Sequence, residues 1–376
     1  MKIQGKLNYT EIFTDYVDEQ AMSQIYQLLA NPAAENAKIA IMPDVHAGRG
    51  SIVGLTMTFG KFIIPSIVGV DIGCGVLAVN LGQQHPNLDR FDKFIRKNLP
   101  AGKEVHSEPR SDLFSPSKEL EHLIEKVCPG DYQRVMCSAG SLGGGNHFLE
   151  LDRDPEGNIW LLIHSGSRNL GLKVCDYHVS RAKEWIRKEF RGAGAWHQME
   201  YMHIDDGGQE YLDDMKITQE FALDNRKVMA EIIVSEFFKL NIKKLETISS
   251  IHNYYNFNDN IVRKGAISAH EGEKLVIPLN MRDGAIFGSG KGLPDWNFSA
   301  PHGAGRKYSR GKAKEVISLK AYRESMKGIF SSCIDTNTLD ESPLAYKKSD
   351  HIIKATEETV NIDFIAKPVW NFKSSF

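Results

Sequence analysis

The order of helical and strand-like segments constrains the fold of this 376-residue chain more than any other feature of its sequence. Helical periodicity covers about residues 16–30, 87–99, 116–127, 217–240 and 312–330. Strand-like patterns cover residues 38–42, much of 51–81, the stretch NIWLLIHSGS and most of 246–287. Ser115 is the predicted N-cap of the third helix. The helices interleave irregularly with groups of strands and no regular βαβ repeat occurs, so the pattern predicts an α+β fold around mixed sheets.

Composition indicates a soluble globular protein, with 41% hydrophobic and 25% charged residues. We expect a single domain over residues 1–376, because no Pro/Ser-rich tract, long charge block or repeat marks a linker. No stretch reaches the ~18 apolar residues of a membrane span, and MKIQGKLNYTEIF lacks the apolar core of a secretory signal. Five widely spread cysteines argue against a disulfide framework. Together these features predict a cytoplasmic protein without a membrane partner.

The net charge of −2 excludes a globally basic nucleic-acid binder. One local exception is the segment from Arg306 to Lys314, which holds five basic residues and no acidic one. A solvated helix start explains this segment as well as a nucleic-acid patch does.

Polar residues that can carry chemistry stand at strand ends or in glycine-rich loops, where a rigid scaffold usually presents functional groups. Asp71 and Cys74, in GVDIGCGV, place a hard and a soft donor three residues apart, near enough to share one metal ion. For this pair alone, an aspartate that caps a turn beside a small buried cysteine is the simpler interpretation.

Three histidines, His147, His164 and His252, each stand at the edge of an apolar run beside Gly, Ser or Asn. One such histidine is more often a hydrogen-bonded structural residue than a ligand. Their recurrence favours a common site, and with Asp71 and Cys74 they offer five donors, enough for two metal ions if the thiolate bridges. Two metal ions about 3.5–4 Å apart bind both the attacking and the leaving oxygen in phosphoryl transfer.

Glycine-rich loops beside these donors indicate a phosphate-containing ligand. Three glycines precede Asn146 in SLGGGNHFLE, and SAPHGAGRKYSR sets His302 between Pro301 and Gly303. Backbone without bulky side chains lets a phosphate approach the main-chain N–H groups. A plain turn accounts for the second loop about as well. The residues therefore lead to a metal-dependent enzyme acting on phosphates, without naming its reaction.

Five motifs in order, PDVHAGRG, IVGVDIGCGV, GGGNHFLEL, HSGSRNLG and PHGAGRKYSR, resemble those of the RtcB family of RNA ligases. The resemblance runs from about Pro43 to the C-terminus. It implies mixed β-sheets stacked centrally and flanked by helices. It also implies an enzyme that joins RNA 3′-phosphate or 2′,3′-cyclic phosphate ends to 5′-hydroxyl ends, using GTP and Mn²⁺, in RNA repair or tRNA splicing. RNA, GTP and an archease-like activator are the partners that the family suggests.

The resemblance also assigns roles to particular residues. His302 would be the nucleophile that takes GMP from GTP, and Asp44 matches a catalytically important acid of the family. Two Mn²⁺ ions would share Cys74 as a bridging ligand, one with Asp71 and His147 and the other with His164 and His252.

The nucleotide would be bound by residues from several motifs, with Glu150 and Lys373 on the guanine base. The expected GTP contacts are Asn146, His147, Phe148, Leu149, Glu150, His252, Asn253, Pro278, Leu279, Asn280, Met281, His302, Gly303, Ala304, Gly305 and Lys373. Phosphates of GTP or RNA would be contacted by Arg168, Arg306 and Arg310.

One stretch departs from the family pattern. PLNMRDGA, from Pro278 to Ala285, has Leu279 and Asn280 in place of Gly-Ser and Ala285 in place of a hydroxyl residue, which indicates a divergent branch. Two other functions stay open: a dinuclear metallohydrolase acting on RNA cyclic phosphates, and a non-ligating relative that binds RNA or nucleotide. The hydrolase has no need of His302, and the binding protein would tolerate loss of Asp71 and Cys74.

Overall fold

The structure is a computed structural model that describes residues 1–190 and 199–374. In these ranges the strands are β1 (Lys2–Gln4), β2 (Tyr9–Ile12), β3 (Ile39–His46), β4 (Val53–Thr58), β5 (Phe62–Ile63), β6 (Gly75–Asn80), β7 (Phe148–Arg153), β8 (Ile159–Ser165), β9 (Met202–His203), β10 (Thr247–Ile251), β11 (Asn253–Asn256), β12 (Ile261–Lys264), β13 (Ala266–Ser268), β14 (Lys274–Asn280), β15 (Gly284–Gly290), β16 (Ser299–Pro301) and β17 (Val360–Lys373). The α-helices are α1 (Glu19–Leu29), α2 (Leu88–Asn98), α3 (Lys118–Val127), α4 (Tyr132–Ser138), α5 (Arg168–Glu189), α6 (Gly208–Glu231), α7 (Arg310–Val316), α8 (Leu319–Ser325) and α9 (Ser349–Thr356). None of the described helices is long and apolar enough to cross a membrane.

Two larger sheets organise the fold, which confirms the predicted α+β class. The first has six strands in the order β1-β2-β3-β4-β12-β11, with β2 and β3 parallel. The second has seven strands in the order β10-β6-β8-β7-β17-β15-β14, and all its neighbouring strands are antiparallel. Of these two sheets, only the first therefore combines parallel and antiparallel strand pairs.

The seven-stranded sheet curls until its two edge strands, β10 and β14, meet. Val276 N on β14 donates a hydrogen bond to Ser250 Oγ on β10 at 2.9 Å. We call this curled sheet the roll. Because side chains alternate between the faces of a strand, one set fills the interior of the roll. Its interior is an apolar cluster of Val76, Ala78, Phe148, Trp160, Leu162, Ile248, Val276, Ala285, Phe287 and Ala366.

Helices cover the outer face of the roll. Leu149 and Leu151 of β7 point to this face and pack in one buried cluster with Phe91 and Ile95 of α2. Helix α6 lies against β6 and β8 of the roll and also against β11 of the six-stranded sheet. It therefore joins the two sheets, and its Arg226 is fully buried.

Most predicted elements are present, but several bounds were wrong. The helix predicted at 116–127 begins at Lys118, and its N-cap is Ser117, whose side chain accepts from Leu120 N; the expected cap at Ser115 was wrong. The long helix expected from residue 217 begins already at Gly208, and Ile232–Phe237 continues it as a π-helix. The helix expected over 312–330 is broken into α7 and α8 because Ser318 caps a new helix.

Among the described residues, Trp370 is the largest side chain that is fully buried, and it anchors β17 to the outer cluster. Its ring lies 4.6 Å from that of Phe91, and its Nε1 donates to Asp92 Oδ1 at 3.2 Å.

We expect Trp370→Ala to lower the free energy of unfolding by about 3–5 kcal/mol, measured by urea denaturation, because it leaves a cavity that the sheet cannot refill. Tyr16→Ala, at a side chain that is 72% exposed, is the control and should change it by less than about 0.5 kcal/mol. A loss of similar size in both variants would contradict this anchoring role.

Candidate active site

Strand register brings the thiol of Cys74 and the imidazoles of His147, His164 and His252 to one end of the roll. Cys74 immediately precedes β6, and His164 lies opposite Val76 of that strand. His147 immediately precedes β7, whose first residue, Phe148, pairs with His164. His252 follows β10, where Ile251 pairs with Gly75. These separate stretches of sequence therefore meet at one place in the fold.

The donor atoms lie close enough to share cations. Cys74 Sγ is 3.3 Å from His147 Nε2 and 3.2 Å from His164 Nε2. His164 Nε2 is also 3.2 Å from His252 Nε2, and His147 Nε2 is 2.9 Å from Asp71 Oδ2. Two groups of three result, Asp71–Cys74–His147 and Cys74–His164–His252, and in each group all the donor atoms lie within 4.8 Å of one another. Cys74 belongs to both groups.

Burial leaves two imidazoles of this cluster, those of His164 and His252, neutral. Desolvation lowers the pKa of His164 and of His252 well below the usual 6.5, and the neighbouring histidine lowers each further. His164 Nδ1 lies 3.1 Å from the carbonyl oxygen of Asn146, so Nδ1 carries the proton and Nε2 keeps its lone pair. Burial and the charge of Asp71 raise the pKa of the Cys74 thiol well above 9.0. A cation would therefore have to displace that proton on binding.

Glycines next to the donors allow this close approach. A Cβ atom at Gly166 would lie 2.1 Å from Asp71 Oδ1, and one at Gly143 would lie 2.0 Å from His147 Nδ1. Any side chain at either position would push a donor out of the cluster. Neutral imidazole nitrogens, a thiol and a carboxylate, packed this closely, fit divalent transition-metal ions.

His302 lies beside the cluster, and its orientation is fixed by Asp44. Its ring centroid is 5.0 Å from that of His252. Asp44 is fully buried, and its Oδ2 accepts from His302 Nδ1 at 2.7 Å and from the backbone N–H of His302 at 3.3 Å. With the proton on Nδ1, the lone pair lies on His302 Nε2. This is the arrangement in which a carboxylate sets the tautomer of a nucleophilic or basic histidine.

A cavity of about 470 Å³ opens in front of His302 and the donors. We call it the first cavity. It is lined by most of the residues expected to bind GTP, namely Asn146, Phe148, Glu150, His252, Pro278, Leu279, Asn280, Met281, His302, Gly303, Ala304, Gly305 and Lys373, and by Arg306 and Arg310. The strand ends and the glycine-rich loop thus enclose one space large enough for a nucleotide.

Three residues of the expected GTP set lie elsewhere. Leu149 packs in the outer cluster of the roll, because it alternates with Phe148 and Glu150 along β7. Asn253 supports the backbone: its Nδ2 donates to the Asp71 carbonyl at 3.3 Å, and its Oδ1 accepts from Gly265 N at 3.1 Å. His147 lines a different cavity. None of the three side chains lines the first cavity.

The departure at Pro278–Ala285 has a smaller effect on the cavity than the sequence indicates. Leu279 does line the first cavity. Ala285 is fully buried in the interior of the roll, opposite Ala366 of β17. A hydroxyl group at position 285 would therefore point into an apolar core rather than towards a ligand.

Sequence reasoning missed Glu341, which organises the basic residues of the first cavity. This glutamate is 3% exposed, and its carboxylate lies 2.8 Å from Lys373 Nζ, 3.0 Å from Arg310 Nη1 and 3.3 Å from Arg306 Nη1. Tyr346, whose hydroxyl donates to Glu341 Oε2 at 2.7 Å, lines the cavity as well. His46, which stands in the motif PDVHAGRG and was given no predicted role, lines the cavity too.

The same contacts settle the nature of the basic segment from Arg306 to Lys314. Arg310 and Lys314 pair with Asp340, at 2.8 Å and 3.4 Å, and Lys312 pairs with Glu315 at 3.1 Å. Arg306 pairs with Glu341, as described above. Four of the five basic side chains in this segment therefore have carboxylate partners, so the segment is not an uncompensated positive patch.

Arg168 lies on the other side of the donors, in a second cavity of about 530 Å³ that Asp71 and His147 also line. It begins α5 with φ of 55°, an unusual conformation for a residue with a side chain. Its guanidinium donates to the carbonyl of Gly102 at 2.7 Å and to Ser141 Oγ at 3.0 Å. Strain of this kind collects at functional sites. The second cavity is lined by three cationic side chains, Arg168, Lys103 and Arg134, and by two carboxylates, Asp71 and Asp131.

Comparison with known proteins identifies the family. A family model described as tRNA-splicing ligase RtcB matches residues 24–374. The RNA-splicing ligase RtcB of Escherichia coli (strain K12) is 30% identical over 369 residues, covering 88% of each chain. The chain belongs to the RtcB family. Two more distant relatives are both named tRNA-splicing ligase RtcB. That of Nanoarchaeum equitans is 27% identical, over 85% of this chain and 84% of its own, and that of Methanococcus maripaludis is 26% identical, over 94% of this chain and 90% of its own.

Membership in the RtcB family confirms the resemblance that the five motifs carry. The matched region includes every residue of both donor groups, together with Asp44 and His302. It also includes Glu341 and Lys373, so the contacts around the first cavity lie within the part of the chain common to the family.

The Glu341 contacts predict a dependence of stability on pH. Burial alone would raise the pKa of Glu341, but Lys373, Arg310 and Arg306 outweigh it and lower the pKa from 4.5 to about 2. The stabilisation is therefore complete above pH 4.5 and is lost as the pH falls towards 2. We expect Glu341→Gln to lower the free energy of unfolding at pH 7 by about 3–5 kcal/mol, because it leaves buried cations uncompensated.

Urea denaturation at several pH values measures this difference, which should shrink as the pH falls from 4.5 towards 2. Glu315→Gln, whose side chain is 68% exposed, is the control and should change stability by less than about 0.5 kcal/mol. A Glu341→Gln difference that stays constant over that range would show that Glu341 is not ionised in the folded state.

Proposed function

We propose that this member of the RtcB family is a GTP-dependent RNA ligase, formed by one domain and active in a reducing, cytoplasmic environment. It would join RNA 3′-phosphate or 2′,3′-cyclic phosphate ends to 5′-hydroxyl ends, in RNA repair or tRNA splicing. The observation that carries this proposal is the His302–Asp44 pair, which aims a nucleophilic nitrogen at a nucleotide-sized cavity beside metal-binding donors. The five cysteines, all free thiols, agree with a reducing compartment.

His302 would supply the nucleophile for the first step. Because Asp44 accepts from Nδ1, the lone pair on Nε2 attacks the α-phosphorus of GTP, and the bond to the β-phosphate oxygen breaks. Pyrophosphate leaves, and GMP is held on the histidine. Buried Asp44 stabilises the positive charge that the ring acquires during the attack.

In the next steps the nucleotide passes to RNA. An RNA 3′-phosphate oxygen takes GMP from His302, after a 2′,3′-cyclic phosphate has been opened by water where one is present. The 5′-hydroxyl of the second RNA end then attacks this activated phosphate, and GMP leaves. Each step is a displacement at phosphorus, so one set of cationic groups can stabilise all of them.

Asp71, Cys74 and His147 would hold one Mn²⁺ ion, and Cys74, His164 and His252 a second. When bound, such ions neutralise the charge on the phosphate oxygens and orient them for displacement. Four of these five donors, Cys74, His147, His164 and His252, are at most 6% exposed, whereas the side chain of Asp71 is 31% exposed and lines the second cavity.

The two cavities would divide the substrates between them. The first cavity would bind GTP, with Phe148 beside the base, Glu150 and Lys373 on its polar edge, and Arg310 near the phosphates. The second cavity, with Arg168, Lys103 and Arg134, would bind RNA phosphates next to Asp71 and His147. An archease-like activator would be a further partner.

We expect His302→Ala to abolish covalent labelling by α-³²P-GTP with Mn²⁺, followed by denaturing electrophoresis, because the nitrogen that forms the bond is gone. The metal content should stay at the wild-type level, since His302 belongs to neither donor group. His122→Ala, at an exposed position on α3, is the matched control and should label normally. Undiminished labelling of His302→Ala would remove His302 from the nucleophile's role, and a wild type that never labels would favour the metallohydrolase.

We expect Cys74→Ala to lose both metal ions, because both donor groups contain this sulfur, whereas Asp71→Asn should lose only one. The measurement is the Mn²⁺ content of the dialysed protein by inductively coupled plasma mass spectrometry. Cys128→Ala, at a buried thiol outside both groups, should keep the wild-type content. An equal Mn²⁺ content in Cys74→Ala and the wild type would contradict the bridging role.

A further inference from the structure

Two carboxyl side chains, Glu150 and Asp152, point into the apolar interior of the roll. They are two residues apart on β7, so they share the face that also carries Phe148. The residues opposite them on β8 are Leu162 and Trp160, both members of the interior cluster. Glu150 is 3% exposed and reaches the first cavity, whereas Asp152 is fully buried behind it.

As neighbours on the same face of β7, the two carboxyl groups can form a side-chain hydrogen bond with each other. Both oxygens of Asp152 are buried, and neither has a donor among the described residues. Two ionised carboxylates offer only acceptors, so a hydrogen bond between them requires a proton. Burial raises the pKa of Glu150 to about 7, and burial together with the charge of Glu150 raises the pKa of Asp152 well above 3.8.

Neighbouring cations do not take the place of this proton. Lys373 on β17 lowers the pKa of Glu150, but its Nζ donates to Glu341 Oε2 at 2.8 Å. Lys367, also on β17, acts on Asp152 in the same way from an exposed position, where its Nζ donates to the Asp283 carbonyl at 3.2 Å. The β8 residues that pair with the two acids carry no charge. Two adjacent buried negative charges would thus repel each other without a direct counter-ion.

We propose that Glu150 and Asp152 hold a single proton between them and that Asp152, which carries it, is a specificity-determining positioning residue for the nucleobase. The inference rests on the proposed function, in which Glu150 contacts guanine. The Asp152 hydroxyl donates to one oxygen of Glu150, which favours the negative form of Glu150 and turns its other oxygen towards the first cavity.

A fixed, negative acceptor at Glu150 selects guanine by chemistry rather than by size. The N1–H and the 2-amino group of guanine donate to a carboxylate, whereas adenine has an acceptor at N1 and no 2-amino group. Adenine would leave the buried carboxylate unpaired, and such mismatches discriminate more strongly than shape does. Because the anion of Glu150 is the binding form and its pKa is raised to about 7, guanine binding should strengthen as the pH rises through 7.

Binding of GMP and AMP to the full chain, measured by calorimetry in EDTA at several pH values, tests this without catalysis. In Asp152→Asn the amide N–H still donates to Glu150, so GMP affinity and the preference over AMP should stay at wild-type values. In Asp152→Leu the donor is lost. GMP binding at pH 7 should weaken about tenfold or more, its pH profile should move to higher pH, and the preference over AMP should fall. A purely structural role of Asp152 would weaken GMP and AMP equally.

Infrared difference spectra of the wild type against Asp152→Asn supply a second readout that does not depend on nucleotide or on the leucine variant. At pH 8, where Glu150 with its pKa of about 7 is mostly ionised, the wild type should show the carbonyl stretch of protonated Asp152, and the asparagine variant should lack it. Absence of that band in the wild type would overturn the proposal, as would loss of GMP preference in Asp152→Asn. A wild type that shows the band but binds GMP and AMP alike would overturn the guanine contact of the proposed function and leave the shared proton standing.

Discussion

The buried sulfur of Cys74 is the point on which the site depends. It lies within 3.3 Å of two imidazole nitrogens and belongs to both groups of donors. Packing imidazole nitrogens, a thiol and a carboxylate this closely is unfavourable unless a cation compensates them. The strand ends, the glycines beside Asp71 and His147 and the burial of the histidines all serve to hold these donors together. Arg226, fully buried behind them, donates to the carbonyls of Gly73 and Ser165 and so fixes both loops.

The roll connects this chemistry to the rest of the fold. Its outer face carries large apolar side chains that α2 and the end of α6 cover, and this packing holds the strand register. Register in turn decides which side chains reach the open end, since a shift by one residue would exchange Glu150 for Leu149. The interior is apolar except near the first cavity, which is why carboxyl groups placed there change their protonation instead of simply pairing with a cation.

Much of the site was accessible from the sequence because each functional histidine ends an apolar run or lies in a glycine-rich loop. Other parts were not. Strand β17 lies between β7 and β15 in the roll, yet Pro368 interrupts its pairing and hides its pattern. Helix α5 was missed because its first residues, in HSGSRNLG, read as a loop. Glu341 gives no local signal, since its partners come from residues 306, 310 and 373 and only the folded chain brings them together.

The most direct test of GTP-dependent RNA ligation measures where the phosphorus of an RNA 3′-phosphate is found after the reaction. An RNA with a ³²P-labelled 3′-phosphate is incubated with the protein, GTP, Mn²⁺ and a second RNA that ends in a 5′-hydroxyl. We expect the label to become an internal phosphodiester that resists phosphatase, and only when GTP is present. Label that stays terminal and phosphatase-sensitive, or that joins equally well without GTP, would contradict ligation through a guanylylated His302.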